Sequence, residues 1–175
     1  MLGTAWQPAG ISPAWGYPIY GYPRPADPPF ILSPYLTDPN RAGPLIREAV
    51  KDERADEQFY DYLAKNAPSQ TDASMIEAIR NDERKHRSMF QQIYAGLTGQ
   101  ILTVPADAEP FQEPASYADG LTRAIMGESG ALELYRQIYF AVPGEMYKNM
   151  LFEIMTDEIK HGIRYNYLYA KLKKD

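Results

Sequence analysis

Asp82-Glu83-Arg84-Lys85-His86 recurs as Asp157-Glu158-Ile159-Lys160-His161, 75 positions further along the chain. The same shift carries Ala49 onto Ala124, Glu53 onto Glu128, Tyr60 onto Tyr135 and Pro68 onto Pro143. Met75 falls on Met150, Ile79 on Ile154, and Tyr94-Ala95 on Tyr169-Ala170, with no gap anywhere in the span. A shared helix propensity would not keep Glu, Asp and His in register. The two stretches therefore read as duplicated helical hairpins related by a pseudo-two-fold axis.

Within each copy the spacing has a chemical meaning. Residues three apart on a helix lie on one face, so Glu83 and His86 can converge on one ion, and Glu158 and His161 on another. Glu53 and Glu128 each stand thirty residues before a motif glutamate and supply a carboxylate from the other helix of their hairpin. Together these are four carboxylates and two imidazoles. One Glu from each of two helices, with Glu-x-x-His from each of the other two, is the ligand pattern of di-iron and di-manganese bundles. Four buried carboxylates without cations would be prohibitively costly, and two divalent ions balance four negative charges. Oxygen and nitrogen donors without thiolate suit iron or manganese. A single Glu-x-x-His is a weak signal that surface helices often carry. Here it occurs twice in register, and both histidines of the chain lie in it.

The neighbouring residues leave choices open. Asp82 and Asp157 read either as surface charges or as acceptors for the ring N–H of a ligand histidine, which fixes its tautomer. Tyr60 and Tyr135, two turns after Glu53 and Glu128, read either as core packing or as phenols that donate to a ligand carboxylate. Lys85 and Lys160 read as solvated. Asp52, Asp56 and Glu57 have no acidic counterparts at Gly127, Ala131 and Leu132. They read as a solvated face, with Asp56 a minor candidate for an extra ligand.

Outward from the motifs, apolar residues recur every three to four positions. A first helix is expected from Pro44 to just before Pro68, and a second from Thr71 or Asp72 to Gly96 or Gly99. A third is expected from a Ser116/Asp119 cap to about Phe140, and a fourth from Pro143 to Leu172. Short links within each hairpin imply antiparallel neighbours, and the long, proline-containing stretch at 97–115 can cross the bundle. The expected fold is all-α: a ferritin-like four-helix bundle of two hairpins joined by one long crossover.

Residues 1–43 differ, with nine of the fifteen prolines and both tryptophans. Proline removes a backbone donor and fixes φ, so an extended, polyproline-like arm is expected, followed by the bundle at 44–175. The arm has few charges and many large apolar side chains, a composition that favours packing on the bundle or a partner.

The net charge of −5 argues against nucleic acid as a partner. No apolar run approaches the roughly 20 residues that span a bilayer, so no membrane is expected. Without cysteine there is no disulfide, no thiolate metal site and no rubredoxin-type iron centre. A cytoplasmic location fits.

At Glu53-x-x-Asp56-x-x-x-Tyr60, Asp82-Glu83-x-x-His86, Glu128-x-x-Ala131-x-x-x-Tyr135 and Asp157-Glu158-x-x-His161, the chain resembles the ferritin-like superfamily and, within it, the rubrerythrin-like group. The resemblance covers about 44–172. It implies that Glu83 and Glu158 bridge two metals, with Glu53 and Glu128 terminal and one histidine per metal. It also implies that Asp82 contacts His161 and Asp157 contacts His86. Two features depart from rubrerythrins. Ala131 stands where they have a further ligand Glu, and the chain lacks the cysteines of a rubredoxin domain. The aromatic arm is similar in composition to those of some spore-coat proteins.

Two functions are expected from different classes. One is an oxidoreductase in which two iron ions react with hydrogen peroxide or dioxygen, fed by an external electron donor, with a manganese catalase-like variant. The other is a structural or interaction protein, associated with a spore coat, in which the metal is a staple and the arm mediates assembly. A homo-oligomer, a dimer, is expected in either case.

Overall fold

The computed structural model describes residues 37–103 and 112–172. Four helices run in the order α1 (Pro39–Lys65), α2 (Gln70–Thr98), α3 (Tyr117–Ala141) and α4 (Glu145–Leu172), with no strand among the described residues. This is an all-α four-helix bundle. None of these helices is long and apolar enough to cross a membrane. The expected arm lies largely outside the described residues.

Helix ends follow local chemistry. Asp38 caps α1 by accepting from the N–H groups of Asn40 and Arg41, and Pro39 occupies the first helical position, where its missing donor is harmless. The helix thus starts five residues before the expected Pro44, which lies inside it. The carbonyl that Pro44 leaves unpaired belongs to Asn40, which is exposed, so water can satisfy it. Ser69 caps α2 and Ser116 caps α3, each accepting from the N–H three residues on. Asp119 also accepts from the Ala115 N–H, a variant of the capping box. The fourth helix begins at Glu145 rather than Pro143. Val142 is extended, and Gly144 at φ 73° takes the left-handed turn that a β-carbon would disfavour.

Contacts between helices fix their directions. Arg47 meets Tyr94, Glu57 meets Arg84 and Asp61 meets Arg80, so α1 and α2 are antiparallel. Tyr60 meets Glu128 and Tyr135 meets Glu53, so α1 and α3 are antiparallel as well. Asp72 meets Lys171, Asp82 meets His161 and His86 meets Asp157, which sets α2 against α4 in the same sense. The α3–α4 hairpin completes the bundle.

The core has two apolar parts. One gathers Ile46, Val50, Phe90, Ile93, Tyr135, Ile138, Leu151 and Ile154. The other gathers Tyr60, Leu63, Ile76, Ile79, Leu121, Ala124, Tyr165 and Leu168. Burying side chains of this size stabilises the fold by about 1.5–3 kcal/mol each. Between the two parts, in the middle of every helix, sits a layer of ionisable groups.

Candidate metal centre

That layer contains Glu53 from α1, Glu83 and His86 from α2, Glu128 from α3, and Glu158 and His161 from α4. None is more than 3% exposed. The structure brings all six together. Ligand-type atoms of Glu53, Glu83, His86 and Glu158 lie within 4.8 Å of one another, and so do those of Glu83, Glu128, Glu158 and His161. Glu83 and Glu158 belong to both groups. This cluster can hold metal ions; its donors are carboxylate oxygens and imidazole nitrogens.

Several of these atoms make no hydrogen bond of ordinary geometry among the described residues, namely Glu53 Oε2, Glu83 Oε1, Glu158 Oε1 and His161 Nδ1, although Glu83 Oε1 lies 3.1 Å from His161 Nδ1 and Glu158 Oε1 lies 3.0 Å from His86 Nδ1. A buried acceptor without a donor is costly. Three carboxylate oxygens and an imidazole nitrogen, each with a lone pair to share and converging from three helices, are what a cation would satisfy.

The outer contacts fix which atoms face inward. His86 Nε2 lies 3.2 Å from Asp157 Oδ2, and its Nδ1 lies 3.1 Å from Glu83 and 3.0 Å from Glu158. His161 Nε2 lies 3.0 Å from Asp82 Oδ2, with Nδ1 3.1 Å from Glu83 and 3.6 Å from Glu128. Each aspartate thus holds a histidine of the other hairpin by its outer nitrogen. Lys160 steadies both aspartates, at 2.5 Å from Asp157 and 3.2 Å from Asp82. Lys85 instead pairs with Glu153 at the exposed surface. The phenols cross in the same way. Tyr60 donates to Glu128 at 2.7 Å and Tyr135 to Glu53 at 2.8 Å.

Without metal, protons replace cations in this layer. Burial pushes the Glu53 carboxyl well up, helped by the charges of Glu83 and Glu158. Burial does the same to Glu128, although His161 opposes it. Burial also acts on Glu83 and Glu158, but hydrogen bonds from His161 and His86 outweigh it and hold both low. Burial disfavours charge on the imidazoles, yet the surrounding carboxylates hold His86 and His161 well above their usual range. In the metal-free layer two carboxyls are thus pushed toward their protonated form, while the other two are held toward their ionised form beside imidazoles that favour their charged form, an arrangement that limits the buried net charge.

Three nearby residues depart from the sequence reading. Glu57 is not solvated but buried, and accepts from Arg54 at 2.9 Å, Arg84 at 2.8 Å and Arg87 at 2.6 Å. Its arginines all lie a helical turn or a neighbouring helix away, a convergence that no single-helix pattern reveals. Asp56 is half-buried, and its carboxyl is pushed well up by burial and then by the charges of Glu83, Asp52 and Glu158. Tyr165, which sequence reasoning passed over, is fully buried with its ring 5.2 Å from that of Tyr60. Its counterpart under the 75-residue shift is Phe90, which packs 4.8 Å from Tyr135. That substitution was the one available signal.

No family model matches the chain. An uncharacterized protein of Bacillus subtilis (strain 168), YhjR, is 28% identical over 137 residues, which cover 77% of this chain and 90% of that protein. The crystal structure of a conserved hypothetical protein, rv2844, from Mycobacterium tuberculosis has a TM-score of 0.64. It is 14% identical and matches 74% of this chain and 97% of its own, a likeness in fold alone.

Proposed function

We propose that this protein is a di-metal carboxylate oxidoreductase of rubrerythrin-like type, loaded with iron and acting on hydrogen peroxide or dioxygen. The observation that carries this reading is the pair of overlapping four-residue groups sharing Glu83 and Glu158. Glu53 and His86 would serve one ion and Glu128 and His161 the other, with Glu83 and Glu158 common to both. When bound, a pair of ferrous ions supplies two electrons to an O–O bond.

The chain's own residues prepare for this. Asp82 and Asp157 accept the outer ring N–H and leave Nδ1 as the inward donor. Tyr60 and Tyr135 hold the terminal carboxylates by one oxygen. The apolar parts on either side exclude water from the layer. The chain's residues carry no cysteine for a rubredoxin-type iron centre, which favours an external electron donor. The resemblance to rubrerythrins and the ligand chemistry support iron, with manganese the alternative.

Aerobic oxidation of ferrous-loaded protein tests the reading, followed by ultraviolet absorbance and peroxide consumption. Oxidation much faster than that of free ferrous ion supports it. Metal that binds stoichiometrically but stays inert would instead make it a structural staple.

A further inference from the structure

The two hairpins differ on their outer faces. On the first, Arg54, Arg84 and Arg87 enclose Glu57. The equivalent residues on the second hairpin are Ser129, Ile159, Gly162 and Leu132. The contrast continues along the helices. Glu77, Arg84, Ser88 and Gln92 of α2 correspond to Phe152, Ile159, Ile163 and Tyr167 of α4, and Lys51 of α1 corresponds to Met126 of α3. All five apolar side chains are exposed, at 62%, 50%, 66%, 57% and 67% in that order. The four on α4 recur at helical spacing opposite its buried stripe of Leu151, Ile154, Glu158, His161 and Tyr165. The duplicated hairpin shows that the fold does not require this: the same positions on α2 are polar.

We propose that this face of α4 pairs with the same face of a second copy of the chain, antiparallel, with the two-fold axis beside Ile159. Side chains of this size at these exposures present on the order of 100 Å² each. The five therefore offer about 500 Å², within the size range of the single largest and often functional patch of a monomer and most of the roughly 800 Å² per partner of a stable pair. A two-fold pairing is self-complementary, so one apolar stripe covers another without a second kind of surface. Charge fits as well. An antiparallel axis beside Ile159 sets Glu153 of one copy, which also bonds Lys85, alongside Arg164 of the other. On the α3 side, a β-carbon at Gly127 or Gly130 would meet nothing within 4 Å among the described residues, so none of these obstructs that flank. The inference stands apart from the metal reading, since none of these side chains belongs to the buried layer.

Sedimentation velocity of the full chain at concentrations up to about 100 µM tests it. A dimer is expected. Ile159→Asp with Ile163→Asp should raise the dissociation constant at least ~100-fold, while Ser88→Asp, at the position equivalent to Ile163, leaves the dimer intact. Circular dichroism checks that each variant keeps its helices. A monomeric wild type, or a double variant that remains dimeric, overturns the proposal. Ile159→Cys gives the chain a sole cysteine close to the axis. A short bis-maleimide should join α4 to α4 through it. A photoreactive label at the same thiol that captures residues 1–36 of its own chain, rather than a second α4, also overturns the proposal.

Discussion

The hairpins α1–α2 and α3–α4 agree inside and disagree outside. Inward, Glu53, Tyr60, Asp82, Glu83 and His86 match Glu128, Tyr135, Asp157, Glu158 and His161 residue for residue. Outward, an arginine-enclosed Glu57 has Leu132 as its equivalent, and Arg84 has Ile159. A buried ionisable layer allows no approximate substitution, because each group satisfies or neutralises another. An exposed helix position has water as a partner and tolerates either character. Matching between the hairpins is therefore a map of where the interior imposes chemistry.

The strongest way to break the inner equivalence is to remove the shared carboxylates. Glu83→Ala and Glu158→Ala should each lower bound metal at least ~10-fold, by equal amounts, as read by mass spectrometry of protein purified without added metal. Lys85→Ala should leave it unchanged. Unequal losses would show that the hairpins contribute differently, and full occupancy in both variants would rule out the site.

Next come the aspartates. Asp82→Ala and Asp157→Ala free the outer nitrogen of His161 and His86, respectively, and should cost roughly 10–100-fold in metal affinity. Competition with a chromophoric chelator measures it. Affinity within twofold of wild type would make these aspartates surface charges only.

The pH dependence of the metal-free fold probes the layer as a whole. Folded Glu53 and Glu128 keep protons that the unfolded chain releases near 4.5. Folded His86 and His161 keep protons that it releases near 6.5. The folded state binds more protons above those values, so its stability falls as pH rises from about 5 to 8. Glu83 and Glu158 are depressed, so their contribution is complete in this range and is lost only in acid. Metal at a hundred times its dissociation constant adds about 2.7 kcal/mol. The melting-temperature gap between chelated and loaded protein should widen with pH, and parallel melting curves would contradict the shared layer.

The smallest effects concern the phenols and sharpen an inner mismatch that involves a polar group. Tyr60→Phe and Tyr135→Phe each remove a buried hydrogen bond to a glutamate, worth about 1–3 kcal/mol in urea denaturation. Tyr165→Phe copies Phe90 of the other hairpin. Its hydroxyl is buried with no hydrogen bond of ordinary geometry among the described residues, so stability should change by less than about 1 kcal/mol. A larger loss would reveal a partner for that hydroxyl.

The number of helices, their duplication and the six residues of the inner layer were all legible along the chain. These rest on spacing along one helix and on register between copies, both properties of a one-dimensional string. Helix ends were legible where a cap carried them, as at Ser116. They were missed where proline pointed two ways: Pro44 suits a first helical turn, yet it sits inside α1 because Asp38 and Pro39 start the helix earlier. It took the three-dimensional packing to show that Tyr60 bonds Glu128 rather than a group of its own hairpin, that three arginines bury Glu57, and that the apolar residues of α4 whose equivalents on α2 are polar stay exposed along one stripe. Those facts depend on which helix faces which, and at what height. That arrangement is set by packing two apolar core regions around the ionisable layer, and no local pattern encodes it.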